Sequence, residues 1–278
     1  MEEDFISKKE IVIVFLFSIF IIFFVSLNNY FNSSGYIVFC DVGQGDATYI
    51  RLKNKTDILI DAGGDRKVLT CLGKFMPFYD KTIELAFISH PQKDHFGGYE
   101  YIIDRYKLKL LFLNQVNIDS KSYGSLVDKV NKKNIKIKNL FANDLIILND
   151  VKIKSLWPEK NIFEKNKSKN SDLNELSSVL LLTINNNSYL FTGDIDKYIL
   201  DELYKEIPNI EILKVPHHGS KNSLSKNFYY KVRPKISIIH VGENNSYGHP
   251  SGEILKILQE IKSNIRRTDK EGNIKIKL

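Results

Sequence analysis

Short apolar runs that give way abruptly to polar residues constrain this chain more than any other feature of its sequence. "YIVFCDV" (36–42), "ATYIRL" (47–52), "DILIDAG" (57–63) and "IELAFISH" (83–90) have the length and β-branched content of strands. So do "SSVLLLTI" (177–184), "SYLFTGDI" (188–195), "EILKVPHH" (211–218) and "KISIIHVG" (235–242). Between them, "RKVLTCLGKFM", "YEYIIDRYK", "DKYILDELYKEI" and "SGEILKILQEIK" repeat apolar residues at helical spacing. Alternation of this kind predicts an α/β domain with its chemistry at strand ends. With 278 residues and 43% hydrophobic content the chain can build one large or two modest domains. The polar segment "EKNIFEKNKSKNSDLNE" (159–175) reads as an exposed loop.

The six histidines are His90, His95, His217, His218, His240 and His249, and the first five fall within or just beyond the end of an apolar run. A lone histidine is usually a packed residue, but several converging on strand ends beside Asp94 and Asp194 point to a metal site. In "ISHPQKDHFGG" (88–98) a tight loop after a strand can turn His90, Asp94 and His95 into one cavity.

"SHPQKDHFGG" resembles the His-x-His-x-Asp-His signature of the metallo-β-lactamase fold, and "FTGDI" resembles that superfamily's later aspartate. A longer series is more specific. "DVGQGDATYI", "ILIDAGG", "SHPQKDHFGG", "NELSSVLLL", "LFTGDI", "LKVPHHGSKNS", "NNSYGHP" and "RRTDKEGNIKI" resemble, in order and spacing, the carboxy-terminal hydrolase domain of the DNA-internalisation competence protein ComEC. The resemblance runs from about residue 36 to residue 278 and implies an α/β fold, a four-layer αββα sandwich. ComEC proteins also carry a many-helix channel domain, whereas one predicted span precedes this part, so a stand-alone, membrane-tethered relative is expected and no channel role is carried over.

The same resemblance implies a dinuclear site with His90, Asp94, His95, Asp194 and one of His217 or His218 as ligands, Asp194 bridging. We assign His217 to the metal and His218 to proton donation, an order the sequence leaves interchangeable. Gln92 stands where the superfamily has its second histidine, and Asn174 where it supplies another. Both exchanges put a neutral amide oxygen in place of imidazole nitrogen, which favours harder ions, so manganese or magnesium stands beside zinc as a cofactor. Two divalent ions there would generate a hydroxide nucleophile and offset charge on a phosphoryl or acyl oxygen. Asp94 belongs to this catalytic group, and His249 in "YGHP" either donates a proton to the leaving group or braces its loop. His240 is either an extra ligand or a packed residue. Asp41 and Asp46 in "DVGQGDA" are read as supports that orient imidazoles, or else as caps of a tight turn. Ser177 and Ser220, with Asn174, are candidates to bind a substrate phosphate or to cap local backbone. Asp269 and Gly272 fit a hairpin turn between closing strands, and Arg266 and Arg267 are candidate phosphate contacts.

"IVIVFLFSIFIIFFVSL" (11–27) carries no charge and no proline and sits at the short end of a transmembrane helix. No Ala-x-Ala site follows it, so an uncleaved anchor is expected rather than a signal peptide. Lys8 and Lys9 precede it and the next basic residue is Arg51, which places the amino terminus inside. Residues 1–10 are then a cytoplasmic tail, 11–27 the anchor, 28–35 a linker, and 36–278 an extracytoplasmic hydrolase domain in a single-pass arrangement. Beyond residue 27 the chain has 38 basic against 29 acidic residues, about +9, since two Lys and four acidic residues lie before it. That balance suits a polyanion, single-stranded DNA above all, or equally a lysine-rich solvated surface. Cys40 and Cys71 form no CxxC, which excludes a zinc ribbon and leaves one disulfide possible.

Three functions fit: a metal-dependent phosphodiesterase acting on nucleic acid, a metallohydrolase of a small ester, thioester or nucleotide, and a non-catalytic polyanion-binding module. If the amide at position 92 tunes the metal, Gln92→His shifts preference toward zinc in competition binding with manganese. Unchanged selectivity would sink that idea.

Overall fold

In the computed structural model, which describes residues 7–31, 34–148, 151–166 and 172–278, two seven-stranded sheets lie face to face. The first is built from β1 (Tyr36–Phe39), β2 (Thr48–Arg51), β3 (Asp57–Ile60), β4 (Thr82–Phe87), β5 (Lys107–Phe112) and β6 (Ile137–Lys138) in sequential order. The second is built from β7 (Leu145–Leu148), β8 (Val151–Trp157), β9 (Val179–Ile184), β10 (Asn187–Phe191), β11 (Ile212–Lys214), β12 (Ile236–Ile239) and β13 (Asn264–Arg267). A last strand, β14 (Ile274–Lys277), returns to the first sheet and pairs antiparallel with β1. Each sheet starts as an antiparallel meander and continues in parallel strands: β3 to β6 in the first, β10 to β13 in the second. The parallel strands deliver their carboxyl ends to one rim, where such sheets carry their ligands.

Period-two burial assigns each strand's faces. In β1, Ile37 and Phe39 enter the core between the sheets, while Val38 and Cys40 pack outward against helices. In β10, Tyr189 and Phe191 face the inter-sheet core and Leu190 faces the opposite outer layer. Helix Lys67–Phe75 buries Val68, Cys71 and Leu72, the i, i+3, i+4 stripe expected of a surface helix. On the second sheet, helix Gly252–Glu260 buries Ile254, Ile257 and Leu258 and is capped by Ser251, whose hydroxyl accepts from the Ile254 amide. The result is the four-layer αββα arrangement.

The disulfide left open by the sequence is formed: Cys40 at the end of β1 bonds to Cys71 on helix Lys67–Phe75, both buried.

Several expectations are corrected. Within the segment 159–175, of which 167–171 lie outside the described residues, Lys160–Asn166 is helical, burying Phe163 in one core cluster and packing Ile162 against another. Residues 268–271 make no hairpin, since β13 and β14 belong to different sheets and the turn carries the chain between them. Arg266 pairs with Glu271 and Arg267 with Asp269 inside that turn, so both guanidinium groups are engaged locally.

A helix does cover the expected anchor, running Lys8–Phe31 with its large apolar side chains from Ile11 to Val25 exposed. Among the described residues, however, no helix is long and apolar enough to cross a membrane. Lys8, Lys9 and Glu10 occupy its first turn, which shortens the uncharged stretch relative to the roughly 20 apolar residues a crossing needs.

The disulfide closes a loop of 31 residues' separation, so the double change Cys40→Ala, Cys71→Ala is expected to lower unfolding free energy by about 3–4 kcal/mol. Chemical denaturation of the full chain with and without reductant measures it, and superimposable curves would contradict the expectation.

Candidate metal centre

Three loops of the first sheet meet three of the second at the rim. Close backbone approach shapes the first group: a Cβ on Gly45 would fall 2.2 Å from the Asp94 carbonyl oxygen, and one on Gly98 2.0 Å from that of Ala62. Only glycine lets the "GQGD" turn press on Asp94 and the "HFGG" segment press on the turn after β3 in this way. In the second half, His217 and His218 follow β11 with left-handed backbone (φ 49° and 52°), a conformation that bulky residues adopt at cost and that concentrates at functional sites. Asp61, after β3, is also left-handed (φ 56°).

These turns gather Asp94, His95, Asp194 and His218, each contributing one ligand atom within 4.8 Å of the others. The Nε2 atoms of His95 and His218 each stand 3.2 Å from Asp194 Oδ2, and 3.9 Å and 3.6 Å from Asp94 Oδ2. Four nitrogen and oxygen ligands about 2.0–2.2 Å from a tetrahedral cation stand roughly 3.3–3.6 Å apart, so this spacing suits a metal. The buried Nε2 atoms of His90 and His218 have no hydrogen-bond partner, which further fits the group. Burial alone would push the His95 imidazole down, but the carboxylates of Asp194 and Asp61 outweigh it and hold its pKa well above the ordinary histidine range. His218 is raised in the same way, by Asp194 and Asp46 against its burial. The negative field that binds protons on these imidazoles is one that would hold a cation in their place. His90, by contrast, is pushed down to about 3 by burial and by His95 beside it, so it is a neutral imidazole with a free lone pair.

Carboxylates behind the imidazoles orient them. His95 Nδ1 is 2.9 Å from Asp61 Oδ2, and Asp61 is itself fixed by the amide and hydroxyl of Ser89, both donating at 2.8 Å. His218 Nδ1 is 3.3 Å from Asp46 Oδ1 and 3.1 Å from the His240 carbonyl. Lys214, at the end of β11, points its buried ammonium into this cluster, pairing with Asp46 and standing 3.3 Å from Asp194 Oδ1 while donating to the Gly193 carbonyl at 2.8 Å. Against their own burial, Lys214 and His218 hold Asp46 well below the usual carboxylate range; His218, His95 and Lys214 do the same for Asp194.

Asp61 and Lys214 were given no role from the sequence, although "ILIDAGG" already ends a strand on an acid and Lys214 interrupts an apolar run. His218, not His217, joins the four-residue group. His217 is half-buried on the pocket wall with Nδ1 3.1 Å from Asp196. His90 lies next to His95, ring centroids 4.2 Å apart, without belonging to the group. Gln92 and Asn174 meet, the Gln92 amide donating to Asn174 Oδ1 at 2.6 Å. Asp46 stands behind the histidines, whereas Asp41 is exposed and accepts from the Gly43 amide at 3.2 Å, so it caps the turn. Ser177 is buried and its hydroxyl accepts from the Asp194 amide at 3.1 Å; Ser220 caps the short turn at Asn222. Both serve backbone. His240 is a packed residue, its Nε2 3.1 Å from the Ala47 carbonyl oxygen and its Nδ1 facing Asp46. His249 lines the pocket, with burial and the neighbouring His218 and His217 lowering its pKa.

Two sheets of this topology between helical layers, with aspartates and histidines gathered at one rim, constitute the metallo-β-lactamase fold. The chain superposes on the metallo-β-lactamase fold protein YhfI of Bacillus subtilis with a TM-score of 0.58 at 10% identity, covering 88% of this chain and 100% of that one. It superposes on CmlA, a diiron β-hydroxylase of Streptomyces venezuelae, with a TM-score of 0.55 at 12% identity, covering 88% of this chain and 54% of that one.

In sequence it is similar to ComE operon protein 3 of Bacillus subtilis, 28% identical over 262 residues, covering 87% of this chain and 33% of that protein. It is also similar to Recombination protein 2 of Haemophilus influenzae, 28% identical over 240 residues, covering 85% of this chain and 28% of that protein. The chain thus spans about a third of the length of these relatives. No protein-family model matches it.

Replacing Lys214 by Met keeps the stem and removes the charge, leaving Asp46 and Asp194 buried together without their ammonium. We expect a loss of about 3–5 kcal/mol of stability in urea unfolding; a loss below about 1 kcal/mol would show that the cluster does not depend on it.

Proposed function

We propose that this chain is a metal-dependent hydrolase that cleaves phosphodiester bonds of nucleic acid, associated with a membrane surface through the exposed apolar side chains of its amino-terminal helix. The observation that carries the reading is the group of Asp94, His95, Asp194 and His218, of which Asp94, Asp194 and His218 line a cavity of about 360 Å³ with His95 buried behind them. These residues would hold a divalent cation, with His90 beside them as a further neutral donor; manganese or zinc, with magnesium also suitable, matches the mixed imidazole and carboxylate set. A bound ion of this kind lowers the pKa of water and offsets negative charge on a phosphoryl oxygen.

The chain's own residues do the rest. Asp61 and Asp46 fix the ring orientation of His95 and His218, so that Nε2 of each faces the Asp194 carboxylate. Lys214 holds one oxygen of Asp194 and leaves the other to the group. With His218 placed among the ligands, proton donation to the leaving oxygen falls to His249 or His217, whose rings line the same cavity 6.0 Å apart. Its lowered pKa makes protonated His249 the stronger acid of its kind.

Nucleic acid is favoured as substrate by the motif series shared with the ComEC hydrolase domain and by the excess of about nine positive charges beyond residue 27. A membrane position is supported by the exposed apolar surface of helix Lys8–Phe31, and an oxidising compartment by the buried Cys40–Cys71 bond. A cavity of about 360 Å³ also suits a small ester or a free nucleotide, which keeps the small-molecule hydrolase as a second reading.

The test is to strip the full chain of metal, return manganese, magnesium or zinc, and supply end-labelled single-stranded DNA beside Asp94→Ala and His95→Ala controls. Cleavage that requires added metal and drops at least a hundredfold in both controls is expected. Bound metal without cleavage transfers the weight to the small-molecule reading, and absence of bound metal overturns the enzyme.

A further inference from the structure

Beside the metal group the cavity rises to Tyr247, an aromatic ring that the reaction itself does not use. Tyr247 is 69% exposed, unusual for a large aromatic side chain beside a buried polar site. Its ring stacks on His249, centroids 5.9 Å apart and planes 19° from parallel. His249 in turn meets His217 edge-on at 6.0 Å, and His217 meets His218 of the metal group at 6.4 Å. The rings therefore form a continuous path from solvent to the group.

The loop that carries Tyr247 and His249 is built to hold them. Asn245 clamps it from both sides, its side-chain amide donating to the His249 carbonyl at 2.9 Å and its Oδ1 accepting from the His249 backbone amide at 3.0 Å. An aromatic ring fixed on a braced loop is a rigid surface, so a flat ligand meets little entropic penalty in stacking on it. Two ammonium groups stand near the cavity, whose lining also carries Asp94 and Asp194: Lys93 lines it with Tyr247, and the Lys67 ammonium lies 3.0 Å from where a Cβ on Gly43 would stand, next to the cavity residue Gln44. An aromatic face in a cleft that also presents ammonium groups is a combination by which proteins hold single-stranded nucleic acid, stacking a base while the cations meet the backbone.

We infer that Tyr247, backed by His249, is a stacking platform for an unpaired nucleobase adjoining the phosphate presented to the metal group. The inference rests on the nucleic-acid reading proposed above. It makes the site selective for single strands, because a base inside a duplex has no free face to offer the ring.

The test is binding by the full chain, supplied with manganese at low temperature, of two fluorescein-labelled 12-mers of equal charge, one oligothymidylate and one wholly abasic, each checked for length by gel afterwards. Tyr247→Ala is expected to weaken the oligothymidylate about tenfold and leave the abasic strand unchanged. Tyr247→Phe is expected to bind both as the wild type does. Equal loss for both probes in Tyr247→Ala, or loss for neither, overturns the platform while the nucleic-acid reading stands. Wild-type protein that binds neither probe overturns both.

Discussion

The ammonium of Lys214 is the interaction on which the rest of the centre depends. It sits buried between Asp46, from the first half of the chain, and Asp194, from the second. Without a positive charge there, two carboxylates packed within one cluster would resist burial together, and the loops that carry them would have to separate. With it, Asp46 is held where it can orient His218 and face His240, and Asp194 keeps one oxygen toward the imidazoles. The geometry of the group thus follows from a charge balance that is settled one layer behind it.

The same logic explains why polar residues near the centre divide into distinct tasks. Ser89, Ser177 and Ser220 lie close to the cluster, yet each spends its hydroxyl on a carboxylate or a backbone amide. They keep buried polar groups satisfied, which is the condition for so many of them to lie away from water. Gln92 and Asn174 satisfy one another in like fashion.

Much of this was legible in the sequence, and the failures have physical causes. Strands such as "IELAFISH" and "SYLFTGDI" could be read because burial on both faces leaves continuous apolar runs ending where the core ends. Asp94, His95 and Asp194 could be placed because short loops after those strands leave little freedom in where they point. His217 and His218 could not be ordered: adjacent residues in left-handed backbone aim in directions that spacing does not encode. The role of Lys214 is not legible in the sequence because its partner Asp46 is distant along the chain, and only folding brings them together. The helix Lys160–Asn166 is hidden from the sequence for a similar reason, since Ile162 and Phe163 dock it on core residues distant in sequence.

One feature of the sheets bears on how such a domain can be divided. β14 completes the first sheet by pairing with β1, and the turn at 268–271 crosses to it directly from the second sheet. The first sheet is therefore not the property of one half of the sequence, although the second, β7 to β13, is. A fragment holding β1 to β6 would leave the outer edge of β1 unpaired and its backbone groups open to other chains. The first sheet is complete only with β14 beside β1, so a rearrangement that preserves it has to carry the whole span from β1 to β14.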